Sequence, residues 1–175
     1  MTTQAAYWQG VNGEAVFQGD WLPGCRIPVF QIKSGTTDLD DTVKLDKSDL
    51  IVVTQSCDLE QGKVHLVALC PIYSLPEFEA INEAFKKAGR WEEVRKGRFE
   101  GLHMLASPSD PSNNREALVV DFRMIFSLPI DYVRGHAANL GQRWRLDSPF
   151  LEHFSQAFAR FFMRVGLPSA IPPFK

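Results

Sequence analysis

The middle of this chain contains two short apolar runs around a polar turn. The first, residues 50–54, is rich in β-branched side chains and has the length of a strand that is buried on both faces. The second, residues 64–70, follows a turn at residues 59–63 and is typical of the return strand of a hairpin. Pro71 is expected to end it, because proline cannot donate to a strand ladder. The fold must therefore contain an antiparallel sheet.

Further strands are predicted on either side of this hairpin. They are short apolar stretches bounded by glycine, proline or polar residues, and they lie at residues 26–32, 101–105, 117–122, 124–128 and 130–133. Between the first of them and the hairpin, residues 36–41 and 44–49 are polar, acidic and without a clear period. These two stretches predict an exposed loop.

A helix is predicted directly after the hairpin. Ser74 and Glu77 form a capping-box pattern, in which each side chain bonds the backbone of the other residue. Apolar residues then recur at spacings of three and four up to residue 88, which indicates one amphipathic helix. A short second helical piece is predicted at residues 91–96.

A longer helix is predicted near the C-terminus. Ser148 is its expected N-cap, Pro149 its first residue and Gly166 its end. The helix, over residues 148–165, has a wide apolar stripe that includes four phenylalanines, at positions 154, 158, 161 and 162. Burying large apolar side chains stabilises a fold, so this helix is expected to pack on the core.

The composition agrees with one folded unit. The chain has 175 residues, of which 45% are hydrophobic and 23% charged, and its 13 phenylalanines suffice for a sizeable core. This length predicts a single domain over residues 1–175. The elements together predict an α+β fold: a small antiparallel barrel or strongly bent sheet with an inserted helix and a packed C-terminal helix.

Cysteine content and the amino-terminal residues indicate a cytoplasmic protein. The three cysteines are too few, and odd in number, for a disulfide framework, which favours a reducing compartment. The first residues have neither the basic nor the apolar region of a signal peptide. No apolar stretch approaches the ~20 residues that span a bilayer, so no membrane association is expected.

Four chemically reactive side chains lie at the end of the first run of the hairpin and directly after it: Thr54, Ser56, Cys57 and Asp58. Functional groups often lie where a rigid strand opens into a loop. Cys57 is a candidate nucleophile if the fold brings a histidine beside it, first of all His103, because its neighbour Asp58 is an anion and disfavours the thiolate. The alternative is that Cys57 is a small buried apolar residue and that Asp58 caps the turn.

A zinc site formed by Cys57, Cys70, His65 and His103 is not expected. In a regular hairpin the two thiols are about six residues, or ~20 Å, apart along the ladder, which excludes both a shared metal and a disulfide. The Walker A, dinucleotide-glycine, H-E-x-x-H and G-x-S-x-G motifs do not occur. No metal and no cofactor are therefore predicted. The remaining histidines are expected on the surface, at positions 136 and 153.

Cations cluster twice, although the formal net charge of −2 gives the chain no overall basic field. Residues 86–99 contain six cations around two aromatic residues, and Arg143, Trp144 and Arg145 place an aromatic ring between two cations. Both patterns suit phosphate contacts combined with base stacking. The alternative for each is a solvated helix face.

Several short segments occur in an order that is found in a known family. In chain order they are Gly19-Asp20 before the first strand, Val52-Val53-Thr54-Gln55-Ser56 at the end of the next, Pro71-Ile72 after the return strand, and Leu118-Val119-Val120-Asp121-Phe122-Arg123-Met124-Ile125. This order, over about half the chain, resembles the MazF/PemK-like toxins. The resemblance implies an SH3-like barrel, metal-independent endoribonuclease activity and a toxin–antitoxin or other defence system, with the helix at residues 74–88 as an insertion.

The resemblance also implies a site. The family's hydroxyl residue after the second core strand corresponds to Thr54 or Ser56. The arginine that the family places before this strand has no counterpart in the acid-rich residues 44–49, so Arg26 or Lys47 takes its place. In this reaction a base deprotonates the ribose 2′-hydroxyl and a cation stabilises the charge that develops on the attacked phosphate.

Two functions are thus predicted: a toxin-like or defence-associated domain acting on RNA, and a non-catalytic SH3-like module that binds a protein or nucleic acid. The candidate partners are RNA, a cognate protein such as an antitoxin, and a second copy of the chain in a homodimer. The predicted catalytic residues are Thr54, Ser56, Cys57, Asp58 and Arg26, and the predicted binding residues are His103, Arg123, Arg143, Trp144 and Arg145.

Overall fold

Antiparallel strands alternate with short helices along this chain. The computed structural model describes residues 6–31, 33, 35–37 and 43–163. Over these residues the elements are β1 (Trp8–Val11), β2 (Trp21–Val29), β3 (Lys44–Val52), α1 (Ser56–Glu60), β4 (Leu66–Ser74), α2 (Leu75–Ile81), α3 (Arg90–Arg95), β5 (Leu102–Leu105), β6 (Leu118–Asp121), β7 (Phe126–Pro129), α4 (Ile130–Leu140), β8 (Arg143–Leu146) and α5 (Phe150–Phe162). This confirms the predicted α+β class.

The main sheet is bent at its central strand. Its order is β2-β3-β4-β6-β5, and β7 pairs with β4 as well. Strand β4 pairs with β3 along one edge. Along its other edge, residues 66–69 pair with β7 and residues 72–74 pair with β6. In the described part of the chain the order begins at β2 and ends at β5, so the sheet is open rather than a closed barrel. Strands β1 and β8 form a separate pair, joined to the main sheet by a bridge between Asp20 and Arg145.

The central hairpin has the predicted register but a different turn. Ile51 lies opposite Cys70, as expected. The regular hairpin that was expected does not extend to Cys57, because α1 starts at Ser56 and places Cys57 on a single turn of helix. The prediction that Pro71 ends the return strand is also wrong. Pro71 lies inside β4. At this position the edge of β4 that faces away from β3 has no paired residue. The absence of an N–H group on Pro71 therefore leaves no carbonyl of a neighbouring strand without its hydrogen bond.

Strands β2 and β3 extend further than the sequence predicts. Residues 44–49, expected to be a loop, are the first part of β3, and β2 starts at Trp21 rather than at residue 26. Residues 44–47 of β3 are exposed, so this part of the strand lacks the alternation that marks a half-buried strand. The predicted end of β2 at residue 32 and residues 38–41 of the predicted loop lie outside the described residues.

The predicted capping box is present at the start of α2. The Ser74 N–H donates to Glu77 Oε2 at 2.8 Å, and the Glu77 N–H donates to Ser74 Oγ at 3.4 Å. The helix ends at Ile81 instead of residue 88, and a short 3-10 turn at Glu83–Lys86 and then α3 follow it. The inserted segment is therefore helical but broken.

Two other predictions near the C-terminus need correction. Residues 130–133, expected to be a strand, begin α4, which contains His136 and packs Val133 and Ala137 into the core. Helix α5 has Pro149 rather than Ser148 as its N-cap, and the Ser148 hydroxyl donates to Glu152 Oε1 at 3.0 Å. Its predicted end at Gly166 lies outside the described residues.

The two faces of the main sheet are covered by different elements. Helix α4 packs on the face that presents Leu50 and Val52. Helix α5 and the β1–β8 pair pack on the opposite face, which presents Ile51 and Val53. A third cluster, centred on Phe78, joins α2 and α3 to β5 and β6. This arrangement leaves an open cleft where α3, β5 and α5 meet.

Candidate functional site

The two predicted hydroxyl residues are held in structural hydrogen bonds. Thr54 Oγ1 accepts from the Ala68 N–H at 2.7 Å, and Ser56 Oγ accepts from the Gln18 N–H at 3.1 Å. The side chain of Gln18 is buried, donates to the Val53 carbonyl at 3.0 Å and accepts from the Ser155 hydroxyl at 3.2 Å. These bonds fasten the end of β3 to β4 and α5, so both hydroxyls have a role in holding the fold.

The thiol that follows them, Cys57, is exposed. Cys57 Sγ lies 3.7 Å from Gln55 Oε1 and 3.9 Å from Asp58 Oδ1, and its described contacts include no histidine or cation. The alternative prediction, that Cys57 is buried, is therefore wrong. Because the side chain faces two acceptors, nothing in the described surroundings activates it as a nucleophile.

Arg26 is far from these residues. It pairs with Lys47 across β2 and β3, and Lys47 precedes Thr54 by seven positions on an extended segment. At the usual rise per residue this corresponds to ~23 Å. The structure therefore brings Thr54, Ser56, Cys57 and Asp58 together, and it does not bring Arg26 to them.

Arg143 and Arg145 both bind one buried carboxylate. Asp20 is completely buried, and Arg143 donates to its Oδ2 atom at 3.0 and 3.2 Å. Arg143 also donates to the carbonyls of Gly13 and Ala15, at 2.8 and 2.5 Å. Arg145 bonds both oxygens of Asp20 from the other side. The Arg143 side chain is only 1% exposed, so it is unavailable to a phosphate, contrary to the sequence prediction.

Trp144, between them on β8, lies on a shallow apolar groove. The groove has a volume of about 540 Å³, and its walls include Trp21 and three prolines, at positions 23, 76 and 108. The indole Nε1 of Trp21 is buried and has no acceptor among the described residues. Of the three predicted binding residues on β8, Arg143 and Arg145 thus belong to a buried ion cluster, and Trp144 is a half-exposed ring.

Arg123 also has a carboxylate partner within the fold. Its Nε and Nη2 atoms donate to the two oxygens of Asp121, at 2.8 and 2.6 Å. The stem of Arg123 covers Gly101, whose φ of +85° and close neighbours leave no room for a side chain. Arg123 therefore fastens β6 to the start of β5, and it is half-exposed rather than aimed at Thr54.

His103 lines a cavity that the described residues form. This cavity, the α3–α5 cleft, has a volume of about 680 Å³ and lies between α3, β5 and α5. The His103 ring stacks on Phe122 with ring centres 5.9 Å apart and also contacts Phe154. Burial, with a smaller contribution from His153, lowers the pKa of His103 to about 4, so the imidazole is neutral at pH 7.

The rim of the α3–α5 cleft carries cations and aromatic rings. Arg95 donates twice to Glu92 at 2.7 Å, and Lys96 contacts the same carboxylate at 3.2 Å. The hydrogen bonds from Arg95 and then Lys96 lower the pKa of Glu92 to about 2, so two cations share one anion. Arg160 adds a cation with no carboxylate partner among the described residues. Phe99 and Phe161 supply half-buried rings, and Glu100 the opposing acid.

Part of this cleft was visible in the sequence. The cluster of cations around Phe99 pointed to α3, and His103 was a predicted binding residue. His153, which was expected on the surface, also lines the cleft, together with Arg160. Their spacing of seven residues places them on one face of α5, which was the available signal.

The described residues hold no group of three or more histidine, cysteine or acidic side chains arranged to bind a metal. The three cysteines are free thiols, and burial raises the pKa values of Cys25 and Cys70 to about 12. No helix in the described ranges has the length and apolarity to cross a membrane.

Comparison with known proteins adds no assignment. No family model, curated protein or solved structure matches this chain. The resemblance to the MazF/PemK-like toxins therefore stays a prediction.

Proposed function

We propose that this chain acts on RNA by binding a single-stranded segment in the α3–α5 cleft, in the toxin-like or defence-associated context that its sequence resemblance implies. The observation that supports this most is the combination of a neutral imidazole, aromatic side chains and a cationic rim in one cavity of about 680 Å³. Proteins that bind single-stranded nucleic acid without sequence preference use cations to contact the phosphate backbone and aromatic rings to stack the bases.

The cleft offers distinct places for the parts of a nucleotide. Phe99 and Phe161 are half-buried, so each has ring surface on which a base can stack. Arg160 and the Arg95–Lys96 pair lie on opposite walls and suit two phosphates of one strand. A volume of about 680 Å³ is also within the usual range for sites that hold a small ligand.

His103 suits recognition of RNA rather than attraction of its charge. A neutral imidazole has one donor and one acceptor nitrogen, whereas a protonated ring has two donors. It can therefore donate a hydrogen bond to a ribose 2′-hydroxyl or a base edge and also accept one from it, and these are the groups by which proteins select RNA. A preference for RNA over DNA of the same sequence is expected to depend on this residue.

Fluorescence anisotropy with a short fluorescein-labelled single-stranded RNA tests the proposal. Phe99→Leu is expected to weaken binding about tenfold, the usual loss when one stacked base is released. Arg160→Gln is expected to weaken binding and to reduce the slope of log affinity against log salt by about 1. Arg115→Gln removes an exposed cation outside the cleft and is the matched control. Equal losses in all three variants, or no binding by the wild type, would refute the proposal.

The same RNA tests the endoribonuclease activity that the resemblance implies. Attack of a 2′-hydroxyl on the adjacent phosphate yields a 2′,3′-cyclic phosphate and a new 5′-hydroxyl, which gel analysis of end-labelled RNA detects. Cleavage that is lost in His103→Asn but kept in Cys57→Ala would assign the reaction to the cleft, and the reverse result would assign it to the end of β3. Binding without cleavage would leave an RNA-binding domain.

A further inference from the structure

The outer ends of β2 and β3 form a two-stranded ribbon with an exposed apolar face. Pro28 lies directly opposite Leu45, and Arg26 lies opposite Lys47. Phe30 and Val43 continue the two strands in the same alternation. We call these side chains the ribbon face: Arg26, Pro28, Phe30, Val43, Leu45 and Lys47. Phe30 is 60%, Val43 50% and Leu45 63% exposed, so the apolar part faces solvent.

The ribbon face is the uncovered end of a face that is buried elsewhere. Two positions beyond Asp49 on the same side of β3, Ile51 is completely buried beneath α5 and the β1–β8 pair. On the other side of the ribbon, Cys25 and Ile27 of β2 pack into the core under α4, whereas Lys44 and Asp46 of β3 are exposed. The ribbon face therefore extends past the elements that pack on its own side of the described sheet.

The two cations of the ribbon face lie opposite each other without an anion. Like charges at directly opposed positions of an antiparallel pair repel and destabilise it. Neither Arg26 nor Lys47 has an ion pair in the described part of the chain. The nearest acid on this face, Asp49, accepts instead from the Gly24 N–H at 2.8 Å. An incoming carboxylate would relieve this repulsion, which makes the face complementary to an acidic ligand.

We propose that the ribbon face docks an acidic, amphipathic segment of a protein partner. Carboxylates of the segment lie between Arg26 and Lys47, and its apolar side chains cover Leu45 and Phe30. From Arg26 to Phe30 the face measures ~13 Å, enough for a short extended segment. This inference is independent of the RNA-binding proposal, and it gives a molecular form to the alternative function, a module that binds a protein.

The partner is expected on the face of the ribbon rather than along its edge. Strand β2 is an edge of the sheet, and such an edge ordinarily invites an added strand. Here the Arg26 N–H is already used, because it donates to the Tyr132 hydroxyl at 2.6 Å, and Pro28, two positions further along β2, has no N–H to offer an added strand. Side-chain recognition is therefore the mode that remains.

A labelled model peptide tests the docking. The probe is a fluorescein-labelled peptide of sequence Glu-Ser-Glu-Ser-Leu-Ser-Val, which in extended form presents carboxylates and then apolar groups on one side. We expect it to bind the whole chain and to shift NMR signals of residues 26–30 and 43–47. The double variant Arg26→Glu/Lys47→Glu should lose at least about tenfold in affinity, and it should instead bind a matched peptide with lysine in place of glutamate.

Two further variants separate apolar contact from general charge. Leu45→Ser should weaken binding without changing the melting temperature, because Leu45 is 63% exposed. The control Lys63→Glu/Lys87→Glu changes the net charge by the same amount at exposed positions elsewhere, and it should bind the probe as the wild type does. Equal losses in both double variants, absence of binding to the wild type, or shifts confined to other residues would overturn the proposal.

Two competing occupants have their own outcomes. If the acidic residues 38–41 of this chain occupied the face, neutralising Asp38, Asp40 and Asp41 to asparagine would raise the affinity for the probe about tenfold or more. If the face bound RNA, a single-stranded RNA would displace the probe, and Arg26→Glu/Lys47→Glu would lose RNA binding. Either result would overturn the proposal of a protein partner.

Discussion

Asp20→Asn is expected to remove much of the stability of this fold. The substitution keeps the shape of the side chain and deletes its charge. Asp20 is completely buried, and it is the carboxylate that Arg143 and Arg145 share. It also accepts from the Phe17 N–H at 3.3 Å. The change leaves the Arg143 side chain, which is 1% exposed, beside Arg145 with only a neutral amide between the two cations.

The magnitude follows from the burial of the pair. Removing one partner of a buried ion pair costs about 3–5 kcal/mol, since the remaining charge has lost both water and its counter-ion. We expect a loss in the upper half of this range, because one carboxylate serves two guanidinium groups. A second change that removes the more deeply buried cation, Arg143→Met, should restore part of the loss in the double variant, since the cation that remains, Arg145, is 16% exposed and keeps some contact with water.

Urea unfolding followed by tryptophan fluorescence measures these differences. Trp8 and Trp21 lie in the core that packs beside β8, so their emission reports on this region. Glu83→Gln, which breaks the exposed pair with Lys86, is the control and should leave the midpoint unchanged. A loss below about 1 kcal/mol for Asp20→Asn, or a double variant less stable than either single one, would refute the argument from burial.

Three further changes test separate parts of the structure. Because the pKa of His103 is lowered from 6.5 to about 4, the unfolded chain binds more protons within this window, and stability should fall as the pH is lowered through it. The loss from this group is about 2 kcal/mol at pH 5, and His103→Asn should remove that part of the slope in urea titrations at pH 5 and 7.5. Ser74→Ala removes one half of the capping box and should cost about 1 kcal/mol in the same assay. Gly101→Ala places a Cβ atom 2.8 Å from Arg123 Cγ at a φ of +85°, so we expect a lower melting temperature by calorimetry, and an unchanged one would contradict the close contact.

Local signals in the sequence predicted the parts of the fold that depend on neighbouring residues. The register of Ile51 with Cys70 follows from two apolar runs around a short connection. The capping box at Ser74 specified the start of α2 for the same reason, because both of its partners lie within one turn. Strands β5 and β6 were also predicted close to their observed positions.

Elements whose structure depends on contacts with residues distant in the sequence were missed or misassigned. The first half of β3 is exposed, so no periodicity marked it as a strand. Residues 130–133 are β-branched or aromatic enough to predict a strand, but Ile130, Val133 and Ala137 share one side of α4 and pack on the sheet. Packing of an apolar face outweighs intrinsic propensity here.

The same distinction between local signals and contacts of distant residues applies to the candidate site. The cation cluster around Phe99 was visible because its members are close in sequence. The role of Arg143 was not, since its carboxylate partner lies 123 positions earlier and only the β8–β2 contact brings them together. His153 comes to the cleft through the docking of α5 beneath β5, with Phe154 packed against His103. No short motif encodes such a contact.

The availability of cations, rather than their number, decides where this protein can meet an acidic ligand. Arg143, Arg145 and Arg123 are bound to buried carboxylates, so they stabilise the fold and contribute little to the field outside it. Arg160 beside the α3–α5 cleft, and Arg26 with Lys47 on the ribbon face, have no such partner among the described residues. Salt dependence of RNA binding should therefore change with Arg160 and not with Arg26, whereas peptide binding should show the opposite dependence. If either cation proved to affect both ligands equally, the two surfaces would have to be one site.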